Sequence, residues 1–129
     1  MSEVVQGTRR VTGQADQNLD LRVDASGRLE FSASSNYETV ATSQTDQMLG
    51  STGAIGDEIE GLLVVPATTS PGSVVVKDGA TSITVFVGGA SSIGSVIPFY
   101  IPLNLKSTLA GWSVTTGANL SVIATGRFT

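Results

Sequence analysis

The chain has 129 residues, enough for one domain with its own core and too few for two of ordinary size. Hydrophobic residues make up 40% and charged residues only 14%, the opposite of a disordered chain. A net charge of −4 excludes the positive field that nucleic-acid binding needs, and the lack of cysteine and histidine excludes disulfides, the usual zinc ligand sets and His-assisted nucleophilic catalysis.

Residues 1–18 are polar and without a period, and read as an extended N-terminal arm. Adjacent Arg9 and Arg10 form no wider basic patch. Leu19–Val23 and Leu29–Ala33 alternate on either side of Asp24-Ala25-Ser26-Gly27, which predicts a hairpin. Ser34–Thr45 fits a short helix or a loose strand, and the glycines of Leu49–Gly56 mark a loop. Glu58–Pro66 is an apolar strand ended by proline. Thr68–Gly72 is a turn, and Asp78-Gly79 joins a strand over Ser73–Lys77 to one over Ser82–Val87. In the second of these Ile83, Val85 and Val87 alternate against Thr84 and Phe86, until Gly88-Gly89 breaks the strand. Val96–Leu105 sets Ile97, Phe99, Ile101, Leu103 and Leu105 on one face. Pro98 and Pro102, on the other, demand an edge position or a bulge. Trp112–Thr116, a turn at Gly117-Ala118-Asn119 and Leu120–Thr125 predict a last hairpin. The result is an all-β domain over residues 19–129, a β-sandwich or jelly roll of about eight strands.

Ten of the eleven acidic residues lie in the first 60, and Gly79–Thr129 holds only Lys106 and Arg127 as charges. So long a stretch without charge points to a surface covered by another chain, because interface cores are depleted in charge. Asp57, Glu58 and Glu60 cluster at a strand start and raise the question of a calcium site, but their spacing matches no calcium loop, and a solvated strand edge explains them better. No other constellation suggests a cofactor, a metal or a catalytic group. Met1–Arg10 lacks the apolar stretch of a secretory signal, and Val96–Leu105 is too short to span a membrane. The expectation is a non-enzymatic protein, made in a cytosol, whose partners are proteins rather than membrane or nucleic acid.

The stretch Leu62-Leu63-Val64-Val65-Pro66-Ala67-Thr68-Thr69-Ser70-Pro71-Gly72, with Val74–Gly79 and Ile83–Gly89 after it, resembles small structural proteins of tailed bacteriophages. Pro98–Leu103 and Gly111–Asn119 extend the resemblance, which covers residues 46–129; Leu21–Leu29 carries a weaker one. The resemblance implies a virion component and brings no catalytic residues. It fits a capsid decoration (cement) protein on the capsid surface: a small β-sandwich, often a homotrimer, whose N-terminal arm reaches a neighbour and whose partner is the major capsid protein. A tail, fibre or head–tail junction component is the alternative, and a carbohydrate-binding jelly roll a more distant one. The residues expected to make protein contacts are Arg9 and Arg10 of the arm, Phe99, Tyr100 and Ile101, and Trp112 and Val114.

Overall fold

The computed structural model describes residues 35–129 and, upstream, two short strands. The chain divides into two compact units, Met1–Ala33 and Ser34–Thr129. In the first, β1 (Arg22–Val23) and β2 (Leu29–Glu30) pair antiparallel, Val23 opposite Leu29, flanking the expected turn. The arm expected over residues 1–18, with Arg9 and Arg10, lies outside the described residues.

The second unit is all-β, with no helix among the described residues. Its strands are β3 (Asn36–Val40), β4 (Gln47–Met48), β5 (Glu58–Pro66), β6 (Val74–Asp78), β7 (Thr81–Phe86), β8 (Phe99–Lys106), β9 (Trp112–Thr116) and β10 (Leu120–Arg127). They form two four-stranded antiparallel sheets, ordered β3-β10-β5-β8 and β4-β9-β6-β7. Four nested pairs underlie this order: β3 with β10, β4 with β9, β5 with β8 and β6 with β7. The chain is one long antiparallel hairpin, rolled so that β10 also meets β5 and β9 also meets β6. That is the jelly-roll arrangement of a β-sandwich.

Alternation supplies the core. Ile59, Leu62 and Val64 of β5, Val74 and Val76 of β6, Trp112 and Val114 of β9, and Leu120, Val122 and Ala124 of β10 are buried between the sheets. Burying each of the larger aliphatic side chains is worth about 1.5–3 kcal/mol. The ambiguous segment after Ser34 is strand β3, whose Val40 caps the core opposite Val122.

Two expectations need correcting. First, β9 and β10 do not form a hairpin: β9 lies in one sheet and β10 in the other. The link Gly117–Asn119 arches across the sandwich. Gly117 is wedged against Gly72, and Asn119 takes a φ of 63°. Second, the alternation over β7 breaks. Thr84 pairs with Val75 but Phe86 pairs with Val74, so Val85 is an extra, bulged residue. A bulge inverts facing beyond it. Phe86 therefore turns inward against Phe99, ring centroids 5.2 Å apart, and Val87 is left 78% exposed.

The two prolines act as expected. β8 is an edge strand of its sheet, and it carries an irregularity around Leu103-Asn104, where Asn104 has a φ of 53°. Pro102 sits opposite Gly61, and Pro98 precedes the strand.

Candidate interaction surfaces

The register sets the outer face of the first sheet in rows across all four strands. One row is Thr39, Ile123, Leu63 and Tyr100; the next is Tyr37, Thr125, Gly61 and Pro102. An antiparallel sheet with one solvated face normally alternates apolar in and polar out. Here Leu63, Val65 and Ile123 face outward and are only half-buried, and Tyr100 and Tyr37 are 50% and 71% exposed. Gly61 leaves a dip in the surface, and the Tyr100 ring fills it: a Cβ on Gly61 would collide with that ring and with the Ile101 carbonyl. Charge enters at the sheet's lower margin, where Glu58 pairs with Arg127 and, at 3.8 Å, with Lys106, and where Glu60 accepts from Ser35.

A second apolar surface adjoins the first around β8. The edge strands β7 and β8 face each other across the sandwich, joined by the Phe86–Phe99 contact. Their inward residues Ile83, Phe86, Phe99, Ile101 and Leu103 pack on the core yet stay half-buried, so the sandwich is open on this side. The connecting segment adds Val87, Val96 and Ile97, the last 64% exposed. No ionisable side chain other than Tyr100 occurs from Gly79 to Leu105.

The carboxylates of the unit serve the fold. Asp78 is buried and accepts hydrogen bonds from the N–H groups of Thr108 (2.8 Å), Leu109 (3.0 Å) and Ala110 (3.0 Å) and from the Thr108 hydroxyl (3.1 Å). Burial alone would raise its pKa; the three N–H donors and the hydroxyl outweigh burial and hold it below the ordinary value. Asp46 is lowered by Lys77, 2.9 Å away, and by the Thr115 hydroxyl. Arg127 lowers Glu58. The three acids at the start of β5 point to separate tasks. Asp57 is buried and binds the N–H (3.1 Å) and hydroxyl (3.0 Å) of Thr129, Glu58 is ion-paired, and Glu60 accepts from Ser35 at 2.6 Å. Among the described residues no group of three acids could share a metal ion. A cleft of about 470 Å³ lies beside Met48, Gly53, Ile55, Gly111 and Trp112; its one charged lining residue, Asp46, is committed to Lys77.

Of the residues expected to make contacts, Phe99, Tyr100 and Ile101 fall where the two apolar surfaces meet. Trp112 and Val114 do not belong to any surface. Both lie in the core, Trp112 2% exposed with its Nε1–H donating to the Asp57 carbonyl at 2.9 Å. Even positions of β9 face the opposing sheet, which is why an alternating strand hides its only tryptophan. Sequence reasoning missed Leu63, Val65 and Ile123 as surface residues. They read as core within continuous apolar strands, and only the register shows them facing outward. No family model, curated protein or solved structure matches the chain.

Proposed function

We propose that the protein is a structural component of a tailed-bacteriophage particle, a capsid decoration protein that binds the major capsid protein from the outer surface of the shell. The observation that carries this reading is the uncharged row Ile123, Leu63 and Tyr100 on the outer face of the first sheet. Apolar residues on the solvent side of a sheet are characteristic of a face that another protein covers. The resemblance of residues 46–129 to small phage structural proteins supports a virion protein as that partner. The reading is non-enzymatic: the chain has no histidine or cysteine, and Asp46, Asp57, Glu58, Glu60 and Asp78 all hold other parts of the fold. A protein partner rather than nucleic acid is supported by the ion pairing of Lys77, Lys106 and Arg127. Decoration would work by multivalency, many weak contacts across neighbouring capsid subunits acting together.

Co-sedimentation with expanded capsids tests the proposal. The wild-type protein is expected to pellet with the shells, and Tyr100→Asp is expected to lose at least about tenfold in affinity, since a desolvated charge costs more than ~1.4 kcal/mol. Failure of the wild-type protein to bind capsids, with immunolabelling found on the tail, would move it to the tail, fibre or junction. Binding to a glycan array would instead favour the carbohydrate-binding reading, with Tyr37 and Tyr100 as stacking groups.

A further inference from the structure

The four sheet edges differ in how they are guarded. Natural edge strands resist unwanted pairing by being short, by carrying proline, charge or a bulge, or by pointing a charge inward. β4 is two residues long. β8 has Pro102, an irregular ladder and Lys106. β3 holds Glu38 opposite Ala124 of the core, its carboxylate reaching Gln47 and the Gly50 N–H. β7 has neither proline nor charge, and Thr81–Thr84 pair with β6 in unbroken register before the bulge at Val85. No described strand covers its outer edge.

We propose that this edge pairs antiparallel, about a two-fold axis at Ile83, with β7 of a second copy of the chain. The sequence of β7 is self-complementary in that register. Directly opposed residues in an antiparallel pair lie on the same face. Pairing about Ile83 sets Ile83 against Ile83 of the second copy on the inner face, and Ser82 against Thr84 of the second copy on the outer face. Over these three residues apolar meets apolar and hydroxyl meets hydroxyl, and Thr81 comes opposite the bulged Val85, where regular pairing ends. The axis one residue earlier, at Ser82, would oppose Thr81 to Ile83 and lose the match. No like charges meet, because residues 79–105 carry none. A three-residue strand pair alone buries a small area, and the segment after the strand carries exposed Val87 and Ile97 as further apolar surface. The result is a continuous eight-stranded sheet across two copies, with β4 at each end. This pairing stands apart from the capsid reading and does not require it.

Light scattering behind a sizing column tests it on three proteins: wild type, Ser82→Lys with Thr84→Lys, and Ser82→Glu with Thr84→Glu. Both positions are exposed, so the fold tolerates the changes. The wild-type protein is expected at twice the 13.2 kDa of one chain. Each charged variant alone is expected at the single mass, since like charges then oppose across the axis. An equimolar mixture of the two is expected to return to the doubled mass, because positions 82 and 84 then face opposite signs. Amide exchange in the wild-type protein should slow at residues 81–84 as concentration rises. A wild-type protein at single or triple mass, variants that keep the doubled mass, or exchange at 81–84 that ignores concentration would each overturn the pairing.

Discussion

At the residue scale, single polar atoms hold the loops of the sandwich. Asp78 ends β6 and gathers four donors from the loop before β9. Asp78→Ala strands those donors, and the expected loss is about 2 kcal/mol in urea unfolding. The pH dependence follows from the lowered pKa of this carboxyl. Its stabilising effect is complete above the unfolded-state value of about 3.9 and is lost as pH falls through the lower folded-state value. Acid unfolding of the wild-type protein should steepen below about pH 4, and Asp78→Asn should flatten that dependence. Trp112 is the only tryptophan and is buried, so its emission reports unfolding directly. Trp112→Phe keeps most of the packing but removes the bond to the Asp57 carbonyl, and thermal unfolding should register a loss of about 1–2 kcal/mol. The hydrogen bonds behind these roles were not readable in advance. Asp78 looked like the first residue of a turn, and its real partners lie 30 or more residues away in sequence.

At the scale of the element, the strands were legible and their facing was only partly so. Alternation and turn residues found β5 to β10 within a few residues, because half-buried strands print their burial on the sequence. β4 escaped, being two residues long. Facing failed at the Val85 bulge, since one extra residue inverts every later side chain, while in β8 Phe99, Ile101 and Leu103 share the inner face as expected. The β9–β10 link looked like a hairpin because a turn's residues say that the chain bends and not which sheet it bends into. The outer face of the first sheet offers a test at this scale. Gly61→Ala forces the Tyr100 ring from its seat and presses on the Ile101 carbonyl. A loss of about 1–3 kcal/mol in thermal unfolding is expected, with an altered tyrosine signal in near-ultraviolet circular dichroism.

At the scale of the whole molecule, the core among the described residues of the second unit runs from Val40 to Phe128. Residues 34–129 expressed alone should therefore keep the β spectrum and a single cooperative melt; a fragment that fails to fold would show that residues 1–33 complete the core. The charge-poor C-terminal half led to the expectation of a covered surface; where its apolar residues lie depends on strand order, which no local pattern encodes. The arch at Gly117–Asn119 has a consequence for biosynthesis. It puts β9 in the middle of one sheet and β10 in the middle of the other, so neither sheet has its centre until the last strands exist. A ribosome must release residue 127 before the sandwich can close, and until then β5 and β6 wait without β10 and β9, the neighbours that would bury them. Translation that stops short of β10 leaves a sheet without an internal strand and yields no closed sandwich.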